Sequence, residues 1–236
     1  MDWDAFFTLH KDLPREGPGD PDEVALACRV AGTKANGAVL DAGSGPGGDI
    51  PALLQAVPQG RVHAVDSHTP FVEEIRSRFA DDPRVTARAG DMLAETGPYD
   101  LIWSAGAVYF AGIPEALRTW RAALAPGGAI AFSAPCLFDP DAKAIAEIFF
   151  EGMVPQDRRG IEAEVTSAGF RVIASRPVSD GAWEAYFGPQ EARIAALRPG
   201  ADDALAEVLD AAETEIATWR AHRRAFGYEL VVVKPA

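Results

Sequence analysis

Apolar runs alternate with amphipathic stretches over residues 39–133, and this alternation predicts β-strands separated by α-helices. The predicted strands cover residues 39–42, 61–66, 84–89, 100–105 and 129–133. Helices are predicted between them, where Ile50, Val72 and Ile113 begin apolar stripes at helical spacing. Five such alternations predict an α/β fold with a doubly wound, mostly parallel sheet, which binds ligands at the carboxyl ends of its strands.

The regions on either side of this alternation add helices and two further strands. Asp20, Pro21 and Glu23 form a strong helix start, which predicts a helix running to Ala31. The residues before it mix aromatics with Pro and Gly, so we expect an ordered but irregular segment within a leader of residues 1–35. Toward the C-terminus the pattern predicts helices at 141–151 and 160–168, strands at 170–175 and 228–234, and a helical insertion at 178–225. We expect a single domain over residues 1–236.

The stretch 39–50 contains the most specific chemical signal. An apolar run ends in Asp41, and a glycine-rich loop and a helix start follow. The spacing Gly43-x-Gly45-x-x-Gly48 satisfies the dinucleotide fingerprint, which alone is a weak signal. The charge of Asp41 would face a pyrophosphate, and Pro46, expected in the first turn of the helix, removes a backbone donor. A ligand with a cationic group and no phosphate, such as S-adenosylmethionine, fits better.

These residues resemble the Rossmann-like, class I S-adenosylmethionine-dependent methyltransferases, in particular a small-molecule subgroup. The resemblance implies a seven-stranded sheet whose last strand is antiparallel, with S-adenosylmethionine as cofactor. It also implies that Asp66 binds the ribose hydroxyls and that Asp91 receives the adenine amino group. Arg15 is a candidate partner for the methionine carboxylate. The candidate cofactor-binding residues are Asp41, Gly43, Ser44, Gly45, Pro46, Gly47, Asp66, Ser67, Asp91, Met92, Ser104 and Arg15.

The acceptor side is less specific in the sequence, and the catalytic residue is unknown. Tyr109 follows the fourth strand, where it either faces the methyl group or packs in the core. His10 is a candidate base, with a packing role as the alternative. The aromatic residues Trp183, Tyr186 and Phe187 either line the acceptor pocket as a lid or simply fix a helix.

Two positions depart from the subgroup that the chain resembles. Its members carry acids where this chain has Ala105 and, after Ser133, Ala134. The sequence therefore predicts S-adenosylmethionine-dependent transfer of a methyl group to an unidentified small molecule by direct in-line displacement, which requires neither a catalytic dyad nor a metal. The alternatives are an NAD-dependent oxidoreductase and a catalytically silent S-adenosylmethionine-binding protein.

The composition and charge of the chain limit the kinds of partner that we expect it to bind. The net charge of −13 over 236 residues disfavours nucleic acid. The sequence contains neither an apolar run long enough to span a membrane nor metal-ligand spacing among its four histidines. Cys28 and Cys136 give no disulfide framework and are expected as small buried residues. We expect a cytoplasmic protein, monomeric or homodimeric, without membrane or metal partners.

Overall fold

A seven-stranded sheet runs through the computed structural model, which describes residues 2–236. Its strands are β1 (Ala38–Ala42), β2 (Arg61–Asp66), β3 (Val85–Ala89), β4 (Tyr99–Ala105), β5 (Leu124–Leu137), β6 (Phe170–Pro177) and β7 (Phe226–Pro235). They lie in the order β3-β2-β1-β4-β5-β7-β6. Pairing is parallel from β3 to β5, and β7 is antiparallel to both of its neighbours. The predicted fold class is confirmed, including the antiparallel last strand.

Helices cover both faces of the sheet. They are α1 (Trp3–His10), α2 (Pro21–Ala31), α3 (Ile50–Ala56), α4 (Thr69–Arg78), α5 (Ile113–Trp120), α6 (Lys143–Phe149), α7 (Arg158–Ser167), α8 (Asp180–Leu197) and α9 (Asp203–His222). One core cluster joins Val24 of α2 and Leu53 of α3 to Trp103 of the sheet. The other joins Leu117 of α5 and Ile161 of α7 to the opposite face. Two buried cores on one sheet are the doubly wound arrangement.

The leader differs from its prediction. Residues 3–10 form α1, whose N-cap Asp2 accepts a hydrogen bond from the Ala5 N–H at 3.0 Å, although an irregular segment was expected up to residue 20. The Pro and Gly residues that suggested irregularity begin only after Leu13, so they shape the loop between α1 and α2. The predicted start of α2 is confirmed, since Asp20 accepts from the Glu23 N–H at 2.9 Å.

Two boundaries at glycine-rich turns were also wrong. Pro46 lies outside α3, which begins at Ile50 with Pro51 in its first turn. A separate turn, closed by the Gly47 N–H donating to the Ser44 carbonyl at 2.9 Å, holds Pro46 before the helix starts. Similarly, β5 begins at Leu124 and not at residue 129, because pairing with β4 continues through the Pro-Gly-Gly turn with a register shift.

The insertion between β6 and β7 is helical, as predicted, and it gives the leader a surface to pack on. It consists of α8 and α9, and α1 contacts both. Leu9 of α1 is fully buried in the same core as Leu209 of α9. The helices α1, α8 and α9 therefore form a cover at the carboxyl-end side of the sheet.

None of the helices in the described part of the chain is long and apolar enough to cross a membrane.

Candidate active site

A buried carboxylate lies at the end of β1, next to the glycine-rich loop. Asp41 is 3% exposed, and its Oδ2 has no hydrogen-bond partner among the described residues. Burial raises the pKa of Asp41 well above its usual range, and the nearby charges of Asp49 and Asp66 raise it further, whereas Arg15 opposes them. An acid buried without a full set of partners is costly unless a ligand completes them. The position is suited to a cationic or hydrogen-bond-donating ligand.

The glycine loop brings bare backbone to this acid. Gly43 has φ +74°, and a Cβ there would lie 2.4 Å from the Ala107 Cβ, so no side chain fits. The N–H groups of Gly43 and Ser44 donate to the Val65 carbonyl at 2.9 and 3.1 Å. Because these two donors are already used, the loop is not arranged as a free cluster of N–H groups for a diphosphate.

Asp49 is a further carboxylate of the site, beside Asp41, and it was not among the residues predicted from the sequence. Its side chain is 8% exposed and makes no capping bond to α3. Its Oδ2 accepts from the Trp103 indole N–H at 2.9 Å, and its Oδ1 accepts from Arg15 Nη2 at 3.0 Å. The available signal was an acid directly after the glycine loop, but that position also suits an ordinary helix cap. Arg15, the candidate partner for the methionine carboxylate, lies beside the glycine loop and is paired here with Asp49.

Asp66 ends β2, and both of its carboxylate oxygens face backbone donors. Oδ2 accepts from the Gly45 N–H at 2.8 Å, and Oδ1 accepts from the His68 N–H at 2.8 Å. An ionised carboxylate has about four acceptor positions, so two stay available for the hydroxyls of a ligand. Ser67, which follows it, is exposed. Asp66 therefore holds the backbone of the glycine loop and of the turn before α4, with acceptor positions left over.

The end of β3 carries Asp91 and Met92. Asp91 is exposed, and its Oδ1 accepts from the Leu93 N–H at 2.8 Å. The Met92 sulfur lies 3.5 Å from the position that a Cβ on Gly43 would take, so these residues border the glycine loop. The Trp120 indole N–H donates to the Met92 carbonyl at 3.0 Å and fixes this corner.

The remaining loop residues have mainly structural surroundings. The guanidinium of Arg78, another residue missed in the sequence, donates to the carbonyls of Pro46 at 2.8 Å and Gly47 at 2.6 Å. It holds the turn before α3. Ser104 is fully buried in β4, and its hydroxyl has no partner among the described residues.

The leader lies directly against the site. Phe7 of α1 stacks on His68 with ring centroids 4.5 Å apart, two residues after Asp66. Glu16 covers the glycine loop, since its Cγ is 3.5 Å from the position of a Cβ on Gly45. His10 Nδ1 is 2.6 Å from Glu16 Oε2, and His10 is 7% exposed. The leader therefore forms one wall of the crevice.

Aromatic residues separate into a polar group and a packing group. The Tyr228 and Tyr109 hydroxyls are 3.3 Å apart, and burial raises the pKa of Tyr109. The Tyr186 hydroxyl accepts from Gln190 Nε2 at 3.0 Å, and burial raises its pKa well above the usual range. Trp183, by contrast, stacks on the buried Trp219 at 5.0 Å, which corresponds to the packing role that the sequence also allowed.

Two cavities of similar size open beside this region. One, of about 540 Å³, lies between α1, α9 and the end of α6 and is lined by His10, Gln190 and Glu215 among others. The second, of about 450 Å³, lies at the far side of Trp219 and is lined by arginines that are paired with acids, such as Arg176 with Glu23 at 2.7 Å. Only the first of these two is lined by a residue of α1.

Other predicted features have clear positions. Cys28 and Cys136 are both free and buried, and burial raises their pKa values to about 11 and about 12, so their thiols stay protonated at neutral pH. Ala105 and Ala134 lie in β4 and β5, the first half-buried and the second 2% exposed. Within residues 2–236 no group of three or more His, Cys, Asp or Glu side chains is arranged to hold a metal ion.

Comparison with known proteins agrees with this geometry. Residues 39–128 match the family model described as a methyltransferase domain. A curated relative, an uncharacterised 37.1 kDa protein of transposon TN4556 from Streptomyces fradiae, is 36% identical over 101 residues. That alignment covers 41% of this chain and only 29% of the relative.

Solved structures match over nearly the whole chain. A S-adenosylmethionine-dependent methyltransferase from Geobacter sulfurreducens, in complex with S-adenosylhomocysteine, has a TM-score of 0.83 at 18% identity, covering 99% of this chain and 98% of that one. One from Thiobacillus denitrificans, in the same complex, has a TM-score of 0.81 at 20% identity and 98% coverage of each chain. YjhP from E. coli has a TM-score of 0.82 at 19% identity, with 98% and 99% coverage. The fold that the resemblance implied is confirmed: the chain has the fold of these methyltransferases, and residues 39–128 match the model of a methyltransferase domain.

Proposed function

We propose that this chain, which has the class I methyltransferase fold, transfers a methyl group from S-adenosylmethionine to a small-molecule acceptor. The observation that supports the proposal most strongly is the buried Asp41 carboxylate, whose Oδ2 has no partner beside the bare backbone of Gly43. A ligand that brings an ammonium group to this position would complete its hydrogen bonds and offset its burial. The relatives from Geobacter and Thiobacillus, whose structures contain S-adenosylhomocysteine, support the same cofactor.

The chain's residues would bind and align the reactants. Asp41 and the loop from Gly43 to Gly47 would hold the amino-acid part, Asp66 the ribose hydroxyls and the Asp91–Met92 corner the adenine. S-adenosylmethionine supplies a methyl group on a positively charged sulfur that is already a good electrophile. The protein's contribution is therefore positioning and exclusion of water, for which the leader and the α8–α9 cover are suited.

An NAD-dependent oxidoreductase is not favoured. Its diphosphate would have to approach a region in which the charges of Asp49 and Asp66 already raise the pKa of the buried Asp41. Two loop N–H groups that would donate to phosphate already donate to the Val65 carbonyl. Acids at this position suit a cationic ligand and repel an anionic one.

Calorimetric titration with S-adenosylmethionine, S-adenosylhomocysteine and NAD tests the proposal. We expect binding of the first two and none of NAD. We also expect Asp41→Asn to weaken S-adenosylmethionine binding by about 1.5–3 kcal/mol, the size of a hydrogen bond between charged groups. Glu115→Gln, which alters an exposed acid of α5, is the matched control. Binding of NAD without S-adenosylmethionine would overturn the proposal, and cofactor binding without turnover of any acceptor would favour the silent binding protein.

A further inference from the structure

The cavity between α1 and α9 is lined by acceptors of hydrogen bonds and by apolar surface. Its ionisable lining residues are Asp2, His10, Glu151, Glu207 and Glu215, and no lysine or arginine is among the described residues that line it. Phe6 and Phe149 add aromatic rings. At about 540 Å³, the cavity is large enough for a small organic molecule. Its charge favours a cation.

The side-chain oxygen of a buried glutamine in this cavity has no hydrogen-bond partner among the described residues. Gln190 is 1% exposed, and its Nε2 donates to the Tyr186 hydroxyl at 3.0 Å, whereas its Oε1 accepts from no described residue. Leaving such an oxygen unpaired costs about 1–3 kcal/mol, which a donor on a ligand would recover. This observation is independent of the acids, and it also calls for a ligand with N–H or O–H groups.

The cavity adjoins the crevice that is proposed for S-adenosylmethionine. His10 lines the cavity, and its partner Glu16, whose carboxylate lies 2.6 Å away, covers Gly45 of the glycine loop. Glu215 is close enough to Tyr109, at the end of β4, to influence its pKa. The cavity and the crevice thus share the leader as a common wall. A site for the methyl donor and a site for the methyl acceptor must adjoin each other in this way.

Resting on the proposed function, we infer that this cavity binds the methyl acceptor, that the acceptor is a small protonated amine, and that Glu215 receives its proton. Gln190 Oε1 and the Glu215 carboxylate would accept hydrogen bonds from the ammonium group. Phe6 and Phe149 would contribute cation–π contact. Anionic acceptors are disfavoured by the acids of the lining, and neutral alcohols would leave Glu215 without a counter-charge.

The chemistry balances with the groups named. The ammonium group gives one proton to the Glu215 carboxylate, which leaves a neutral amine with a lone pair. That lone pair forms the new N–C bond with the methyl carbon while the C–S bond breaks, and its electron pair stays on sulfur. The products are a methylated ammonium ion and neutral S-adenosylhomocysteine, and Glu215 then releases its proton to solvent.

The state of Glu215 suits this task. Burial, reinforced by Glu151 and opposed by His10, raises the pKa of Glu215 to about 7. A carboxylate with this pKa exchanges protons readily near neutral pH. The other ionisable residues that line the cavity around Glu215 are Asp2 just before α1, His10 at the end of α1, Glu151 just after α6 and Glu207 on α9.

Three probes with the same phenyl body test the inference: 2-phenylethylamine, 2-phenylethanol and 3-phenylpropionate. Binding is measured by calorimetry with the full chain, with and without S-adenosylhomocysteine. We expect the amine to bind at least about tenfold more tightly than the other two, as an ion-paired hydrogen bond predicts. Equal binding of amine and alcohol, or tighter binding of the acid, would overturn the inference.

Variants separate the cavity from the cofactor site. Glu215→Gln should lower amine binding about tenfold or more, with S-adenosylhomocysteine affinity unchanged, whereas Glu213→Gln, on the same helix and paired with Arg198 at 2.8 Å, should change neither. Thermal melting checks that each variant is folded, and Gln190→Leu provides a second variant of the cavity. Amine binding that is insensitive to both variants would contradict this assignment. A different outcome is amine binding that depends on Glu215 in a protein that does not bind S-adenosylmethionine. That outcome would refute the proposed methyl transfer and support the cation site.

Discussion

At the scale of single residues, Asp66 has a structural role beside the ribose contact that is proposed for it. Its two oxygens already accept from the N–H groups of Gly45 and His68, so its removal disturbs the loop as well as any ribose contact. We expect Asp66→Ala to weaken S-adenosylhomocysteine binding by about 1.5–3 kcal/mol. An analogue that lacks the ribose 2′-hydroxyl separates the two roles. The wild-type protein should discriminate against it in calorimetry, and the variant should not. Discrimination that persists in Asp66→Ala would show that the hydroxyl is held elsewhere.

Single residues were predictable where position and chemistry agreed. Asp41 and Asp66 each end an apolar run, so the sequence placed both at the carboxyl edge of the sheet, where the structure has them. Asp49 and Arg78 were missed because their partners are distant in sequence. Trp103 and Arg15 define the role of Asp49, and no local pattern indicates that these three side chains meet.

At the scale of elements, the leader owes its position to close contact with the glycine loop. A Cβ on Gly48 would lie 2.6 Å from the Pro14 carbonyl oxygen, a backbone atom that cannot easily move. We expect Gly48→Ala to push the leader away, to destabilise the fold by about 1–3 kcal/mol and to weaken cofactor binding. Limited proteolysis should then cut residues 2–19 more rapidly.

Gly17→Ala is the matched control for this change, because nothing lies within 4 Å of its Cβ position. It alters the leader itself, in the loop between α1 and α2, without a steric conflict, and it should leave proteolysis and cofactor affinity as in the wild type. Equal protection of the leader in both variants would mean that its position does not depend on contact with Gly48.

Helices and strands were predicted correctly where the periodicity of their own residues determines them. The predictions were wrong where contacts with residues distant in sequence determine the element. The helical insertion was found from its apolar repeat, because α8 and α9 each bury one stripe. The helix α1 was missed, since eight residues give little periodicity and α1 packs on the insertion, which is distant in sequence. The early start of β5 depends on pairing with Tyr99 across the sheet, which Pro126 and Gly127 conceal in the sequence.

At the scale of the whole molecule, the fold brings its acids into two neighbouring groups. One surrounds Asp41 at the glycine loop, and the other surrounds Glu215 in the cavity. In each group, burial and a neighbouring acid raise the pKa of one carboxyl, which costs stability whenever that carboxyl is ionised. A fold that keeps such groups is consistent with two sites for cationic ligands, so that binding a ligand at either site should also stabilise the protein.

The pH dependence of stability measures this cost for Glu215. The pKa of Glu215 is about 7 in the folded protein, above the ordinary glutamate value of 4.5, so the folded state holds the proton more tightly. The resulting stabilisation is complete below pH 4.5 and is lost as the pH rises through about 7. Because the side chain is partly exposed, we expect a loss of about 1–3 kcal/mol and not the full shift.

Glu215→Gln isolates this loss from other groups that titrate in the same range, such as His63, whose pKa is lowered mainly by burial. Gln stays neutral at every pH, so the variant should gain stability relative to the wild type between pH 5 and pH 8, by about 1–3 kcal/mol. Urea unfolding at both pH values measures the gain, with Glu213→Gln as the control that should show none. A saturating amine should reduce the difference, because its charge compensates the ionised carboxylate only in the wild type. Parallel stability curves for wild type and Glu215→Gln would mean that this carboxyl is already compensated by water, and the reason for a cation in the cavity would be lost.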